Sequence, residues 1–309
     1  MIKTSPVCAV VVTYNRRELL VECLEALCRQ TTPLDLVYIV DNASTDGTED
    51  FLRENGYLDN SLFRLVTLPS NLGGAGGFYH GIKIAFENGF EQILLMDDDG
   101  FPADDCLEQL LVYCKHNLCI GSLVLDKNNP NQLCFPIRLA NSSRIINTTE
   151  DLQQFGLDGG MIEDVIIPFN GVLLCRKLIE LYGYPKPSYF IWGDDMEYIW
   201  RLKRQGVKLT TVTRSIFYHP RNREIGVPMF FGRIRFNDTP SKVKLYCMSR
   251  NNTANLLQYK GKLAAVVFIL KLIWFYTFTQ PSREKLEIGL KGVKHGIQKD
   301  FSHHQEFLS

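Results

Sequence analysis

No two of the nine cysteines (Cys8, Cys23, Cys28, Cys106, Cys114, Cys119, Cys134, Cys175 and Cys247) are spaced Cys-x-x-Cys. That lack argues against a zinc knuckle or a thioredoxin-type redox motif. Their odd number, and the apolar neighbours of several, predict buried thiols in a reducing cytoplasm, not a disulfide framework. No secretory leader pattern opens the chain, which agrees with that expectation. A lysine-bearing phosphate loop is also lacking. The one glycine-rich stretch, Gly73 to Gly77, has Tyr79 where a dinucleotide fingerprint needs its last glycine, and it follows the third predicted strand, not the first. Net charge is zero, with 34 basic and 34 acidic residues, so no overall basic character points to nucleic acid. Internal repeats and low-complexity tracts are missing as well.

What is present is a chain of 309 residues with 45% hydrophobic content, enough for one large domain with an appendage. Its charge is unevenly spread. Residues 242–299 carry eleven Lys/Arg against Glu284 and Glu287, a local excess of nine that suits an anionic surface or acceptor. The apolar run Leu263 to Thr279 is 17 residues long, short of the roughly 20 that span a bilayer comfortably. A buried core helix and a helix lying against a membrane, flanked by Lys260, Lys262, Arg283 and Lys285, are the leading readings, the second slightly preferred.

Apolar runs at Val7–Val12, Leu36–Val40, Phe63–Leu68 and Gln92–Met96 read as buried strands. Between them lie helical patterns, with Leu19, Leu20, Cys23, Leu24 and Leu27 on one face, Thr48–Glu54, and Gly81–Asn88. Alternation of this kind predicts an α/β fold with a mostly parallel central sheet flanked by helices. Each strand ends in a polar cluster, and ligands of such sheets sit outside the carboxyl ends of strands. The clusters are therefore expected to converge. Residues 120–165 are turn-rich and read as short strands and loops. Order returns at Ile166–Cys175, in a helix over Arg176–Tyr182, in a helix after Trp192, and in a strand over Leu209–Thr213 shortly before His219.

The sharpest signal is Met96-Asp97-Asp98-Asp99, three adjacent carboxylates at the end of an apolar strand. Such charges repel, and a divalent cation with oxygen ligands relieves them; a solvated acidic turn is the alternative. Alternation along an extended segment sets Asp97 and Asp99 on one side as metal candidates and Asp98 on the other. His219 would complete the set around Mn²⁺ or Mg²⁺, or is structural. Asp41 is a candidate acceptor for a nucleobase or ribose hydroxyl, or a turn residue. Gly73–Gly77 is a close-approach surface for phosphate or sugar, or a flexible loop. Asp194-Asp195, beside Trp192, is the second acidic pair and supplies candidates for a proton acceptor; a helix-capping Asp beside a core aromatic is the alternative.

The ordered set Val11-Val12-Thr13-Tyr14-Asn15-Arg16, Val40-Asp41-Asn42-Ala43-Ser44-Thr45-Asp46-Gly47-Thr48, Asn71-Leu72-Gly73-Gly74-Ala75-Gly76-Gly77, Met96-Asp97-Asp98-Asp99 and Trp192-Gly193-Asp194-Asp195-Met196-Glu197-Tyr198 resembles the inverting glycosyltransferases of family 2, which have the GT-A nucleotide-diphospho-sugar transferase fold. It looks most like their bacterial galactofuranosyl- and rhamnosyltransferase branch. The resemblance implies a catalytic domain over residues 1–235, with a nucleotide-binding half (1–100) and an acceptor half (101–235), and a helical C-terminal extension over 236–309. It implies donor binding by Thr13, Asn15, Arg16, Asp41, Asn71, Gly74, Asp97 and Asp98. Asp97, Asp99 and His219 would hold the metal. Asp195 is the implied base with Asp194 second, and Trp192, Arg250 and Asn251 would meet the acceptor. The implied partners are a nucleotide-diphosphate sugar and a glycan, lipid-linked if the basic segment meets a membrane; no nucleic acid is expected. A non-catalytic nucleotide-sugar binder and a nucleotidyltransferase are the competing readings.

Overall fold

The computed structural model describes residues 5–139, 142–221, 226–230 and 232–308. The chain divides into two compact units. The first comprises residues 1–72, 77–184 and 202–221; the second comprises 73–76, 185–201 and 222–309. The linear cut expected near residue 235 is thus not where these units divide: the Trp192–Asp195 segment groups with the C-terminal helices.

In the first unit, strands β1 (Val7–Thr13), β2 (Leu36–Asp41), β3 (Phe63–Thr67) and β4 (Gln92–Asp97) alternate with helices α1 (Arg17–Cys28), α2 (Thr48–Glu54) and α3 (Gly73–Glu87). They pair in parallel in the order β3-β2-β1-β4. β1 is buried along its whole length, which is why it reads as an unbroken apolar run. Beyond β4 the chain forms β5 (Phe101–Pro102), α4 (Cys106–Tyr113), β6 (Cys119–Asp126), β7 (Asn129–Arg138), β8 (Ile145–Thr148), α5 (Thr149–Gln154), β9 (Met161–Glu163), β10 (Asn170–Cys175), α6 (Arg176–Tyr182), α7 (Asp194–Arg204) and β11 (Leu209–His219). The sheet continues β4-β10-β6-β11-β5, and β10 runs antiparallel to both neighbours. The sheet is therefore mixed, parallel through its first four strands and again between β6 and β11. β11 carries a register shift between Val212 and Ile216 and runs on to His219, six residues past its expected end. All nine cysteines are free thiols, most of them buried.

The second unit contains a small hairpin, β12 (Val227–Met229) with β13 (Ile234–Phe236), and helices α8 (Lys242–Tyr259), α9 (Lys262–Trp274) and α10 (Arg283–Gln298). Its core gathers Phe190, Phe236, Leu245, Tyr246, Leu272, Phe275 and Tyr276. The apolar run read from the sequence forms α9 and a following π-helical turn over Phe275–Thr279. Ala265, Leu272, Phe275 and Tyr276 are buried, so the core-helix reading accounts for one face of it.

Candidate active site

The carboxylate triplet is built by register. β1 and β4 pair with Val12 opposite Asp97, so Thr13 at the end of β1 adjoins the triplet. Thr13 Oγ1 donates to Asp98 Oδ2 at 2.7 Å, and Arg16 Nη1 stands 3.2 Å from Asp98 Oδ1 and 3.0 Å from Asp99 Oδ2. Asp98 is 2% exposed, whereas Asp97 and Asp99 keep partial exposure. The extended backbone ends at Asp97, and Asp98 and Asp99 form a turn; Asp98 is nonetheless buried, tied to Thr13 and Arg16. Burial, aggravated by Asp99 and Asp98, pushes the Asp97 carboxyl well above the ordinary range. Burial would raise Asp99 too, but His219 and Arg16 outweigh it and hold Asp99 below its ordinary value.

His219 Nε2 lies 3.2 Å from Asp99 Oδ1, yet that oxygen is buried and accepts no well-aligned hydrogen bond. On the other side of the ring, Nδ1 is 2.9 Å from the Pro220 carbonyl and 3.4 Å from Cys134 Sγ. With Nδ1–H donating to the carbonyl, Nε2 faces the carboxylate with a lone pair unless the ring is protonated. Burial disfavours the charged ring, but Asp99 and Cys134 bring its pKa up to about 10, giving an ion pair. A divalent cation accepting Nε2 and Oδ1 together satisfies the same two atoms, and imidazole with carboxylate suits Mn²⁺ or Mg²⁺. Asp99 and His219 therefore fit a metal. Asp97 does not join them: among the described residues no three His, Cys, Asp or Glu side chains gather closely enough to hold an ion alone.

Around the triplet, the loops after β1, β2 and β3 are tied together. Asn15, at φ 53°, accepts from the Thr45 N–H at 2.7 Å and donates its own N–H to Ser44 Oγ at 2.9 Å. Asp41 accepts from the Ser44 N–H at 3.1 Å, so the turn reading of Asp41 holds for one of its oxygens. Asn42 accepts from the Leu72 N–H at 2.9 Å, directly after the half-buried Asn71. The glycine stretch is not a flexible loop, because α3 begins at Gly73, eight residues before its expected start. A side chain at Gly77 would strike Val12 Cγ1 at 2.4 Å, and one at Gly81 would strike Val10 Cγ1 at 2.3 Å. These glycines let a helix lie against a strand. Gly74, in the first turn, has open space beside it.

The second unit holds the other acidic pair. Phe190 and Trp192 adopt left-handed backbone angles (φ 64° and 70°), a strain that side chains with a Cβ accept only when held. The hold comes from α8. Asn251 Nδ2 donates to the carbonyls of Tyr189, Ile191 and Trp192 at 3.0, 3.1 and 2.7 Å. Arg250 Nη2 donates to the Tyr189 carbonyl at 2.8 Å and Nη1 to the Phe301 carbonyl at 3.0 Å. Asn255 Nδ2 donates to the Gly193 carbonyl at 2.8 Å. Arg250 and Asn251 are 0% exposed, which corrects their expected acceptor contact: their donors are spent on backbone carbonyls, and they position the loop.

Asp194 and Asp195 open α7, where the helix dipole favours carboxylates, and the Met196 N–H donates to Asp195 Oδ1 at 2.6 Å. Burial raises both carboxyl pKa values, and the Asp195 charge raises Asp194 further. Raised carboxylates of this kind suit proton acceptance. Trp192 is half-buried in the same loop. Glu197, one turn on, is fully buried and was not singled out from sequence. Lys186 Nζ at 3.0 Å, Arg201 Nε at 3.2 Å and the Tyr259 hydroxyl at 2.7 Å surround it, and its i,i+4 spacing to Arg201 was the readable signal. Within the first unit the structure thus gathers Thr13, Arg16, Asp97, Asp98, Asp99 and His219; within the second it gathers Trp192, Asp194, Asp195, Arg250 and Asn251.

Comparison with known proteins agrees with this geometry. Residues 8–162 match the family model described as "Glycosyl transferase family 2". Galactofuranosyltransferase GlfT1 of Mycolicibacterium smegmatis is 31% identical over 264 residues, covering 81% of this chain and 83% of its own. GlfT1 of Mycobacterium tuberculosis (strain H37Rv) is 31% identical over 287 residues, 90% of each chain. Among solved structures, S. aureus TarS 1–349 in complex with UDP superposes with a TM-score of 0.55 at 14% identity, over 97% of this chain and 89% of its own. That likeness places the fold in the GT-A class.

Proposed function

Because the chain belongs to glycosyltransferase family 2, and is a glycosyltransferase, we propose that it moves galactofuranose from UDP-galactofuranose to a hydroxyl of a lipid-linked glycan, with inversion at the anomeric carbon. The GlfT1 relatives support the sugar, and the UDP complex of TarS supports the nucleotide. dTDP-rhamnose ranks second and UDP-hexopyranoses third as donors. The observation that carries the reading is the pair Asp99 Oδ1 and His219 Nε2, facing one another beside an Asp98 already tied to Thr13 and Arg16.

In this reading Asp41 and Asp97 accept hydrogen bonds from the nucleoside, with Asn15, Asn71 and the open Gly74 backbone beside the donor. Arg16 keeps the triplet's charge compensated. Asp99 and His219 are the residues to hold Mn²⁺ or Mg²⁺, which supplies neutralising charge for the departing diphosphate. Asp195 takes the proton from the acceptor hydroxyl; the acceptor oxygen bonds to the anomeric carbon as the bond to the diphosphate oxygen breaks. Asp194 assists as the neighbouring carboxylate, and Trp192 offers an aromatic face to the acceptor sugar. The acceptor's lipid would place the protein at the cytoplasmic face of the cell membrane, in assembly of a cell-surface polysaccharide.

The test is a donor panel of UDP-galactofuranose, dTDP-rhamnose and UDP-hexopyranoses with Mn²⁺, reading release of nucleoside diphosphate. UDP-galactofuranose should be consumed fastest. Faster turnover of dTDP-rhamnose would transfer the assignment to that sugar.

A further inference from the structure

We propose that the outer face of α9 and its π-helical turn is a docking surface for an anionic lipid bilayer, on which the protein lies without spanning it. This extends the lipid-linked acceptor reading above but is tested without any sugar chemistry.

At about 100° per residue, Leu263, Val266, Val267, Leu270 and Trp274 share one stripe of α9. Ala265, Phe268, Ile269 and Leu272 lie on the opposite side, packed into the second unit's core. The helix is apolar on both faces, whereas a water-facing helix puts charge on its outer side. The stripe is open: Leu263 is 78% exposed and Leu270 60%. The π-helical turn extends it, burying Phe275 and Tyr276 while Phe278 stays 64% exposed. Trp274 packs against the exposed Phe230 and Phe278, tilted to each, with ring centroids 4.7 Å apart in both pairs. Exposed Trp and Phe in contact are the side chains that settle at a membrane interface.

Lys262–Thr279 is long and apolar enough to cross a bilayer by length and composition. Its inner face is packed on protein, so in this fold it can only lie along the surface. The wheel places Lys262 and Lys271 on the two edges of the stripe, and no acidic residue occurs from 261 to 283. Elsewhere part of the basic excess of this region is spent. Lys242, Arg283, Lys285 and Lys291 pair with Glu284, Glu287, Asp238 and Glu306, and Arg250 is buried. The edge lysines are instead placed to meet lipid phosphates with their stems along the apolar stripe. A second copy is the disfavoured occupant. Lys271 lies near the midpoint of the stripe, so an antiparallel two-fold contact sets it close to its own mate.

The experiment is flotation of the full chain with phosphatidylcholine vesicles, with and without phosphatidylglycerol, alongside light scattering in solution. Wild type should float with the anionic vesicles and lose binding as salt rises. Leu270→Glu/Trp274→Glu, at exposed positions, should cut partition more than tenfold with its melting curve and soluble-acceptor activity unchanged. Lys262→Gln/Lys271→Gln should cost about fivefold per lysine, on anionic vesicles only. Absence of vesicle binding, or binding indifferent to all four substitutions, overturns the proposal. A wild-type dimer that the double glutamate variant turns into monomer overturns it in favour of a second copy. Because vesicle binding needs no donor, its failure leaves the transferase assignment standing, and the reverse holds.

Discussion

The aspartates at 97–99 and those at 194–195 are opposites in how their charge is handled. In the first group the compensation is ionic and made by side chains: Arg16 reaches two carboxylates, Thr13 a third oxygen, and His219 faces Asp99, which ends below its ordinary pKa. In the second group the supports are spent on the backbone. Asn251, Asn255 and Arg250 grip carbonyls of the loop, and the carboxyls themselves stay raised by burial. Within the first group burial still raises Asp97 and Asp98, and Asp99 is the carboxylate driven down; the opposite directions of Asp99 and the 194–195 pair separate a charge-holding role from a proton-accepting one. The lesson is that both clusters look alike in sequence, and only their partners tell them apart.

The contrast is broken most severely by Asp195→Asn. It should lower kcat by about 10²–10⁴-fold while the thermal shift given by UDP stays near wild type. If Asp194→Asn proves the more damaging, the base is Asp194. His219→Ala should raise the Mn²⁺ concentration for half-maximal activity at least tenfold; since second-sphere partners alone are worth about 10–100-fold, a smaller change would mean the ring is structural. EDTA should silence wild type and be reversed by Mn²⁺. Asn251→Ala takes the side-chain donor from the Ile191 and Trp192 carbonyls, while Tyr189 keeps Arg250, and at about 1–3 kcal/mol per stranded group should cost roughly 3 kcal/mol in denaturant unfolding. Its activity should fall further than its folded fraction, because the loop carrying Asp195 loosens.

The smallest effect sharpens the comparison through pH. Asp194 is raised above its unfolded value, so its contribution to stability is full below about pH 3.9 and is lost as pH rises through the folded value. Melting of Asp194→Asn against wild type should show the variant gaining as pH increases. A gap that narrows instead would mean the carboxyl is compensated in the fold.

Much of the first unit was readable because buried strands are apolar runs that end in polar residues: β1, β2 and β4 are recognisable from Val7, Leu36 and Gln92 onward, and α2 and α6 fall where expected. Period-two alternation singled out Asp98, but its burial comes from a turn past the end of β4 and from Thr13 and Arg16. Glycine propensity misled at α3, since nothing local announces that Gly77 and Gly81 face Val12 and Val10; packing overrides propensity there. β6 hid behind the turn-rich Asn128–Asn131, although Cys119 to Leu125 is itself a buried run. Arg250 and Asn251 were assigned to the acceptor by the family resemblance, and no local pattern announces their burial. Only the fold shows carbonyls waiting for them.

The grip of Arg250 on the Phe301 carbonyl, with the Tyr189 ring stacked on Phe301 at 4.8 Å, ties the far end of the chain to the loop before Trp192. A protease or an engineer trimming the last ten residues would remove no acidic group of either cluster. It would nonetheless free one arm of the guanidinium and uncover one side of the tyrosine. Tail integrity is thus a precondition for activity measurements, and a cleaved preparation would be mistaken for an enzyme lacking its acceptor.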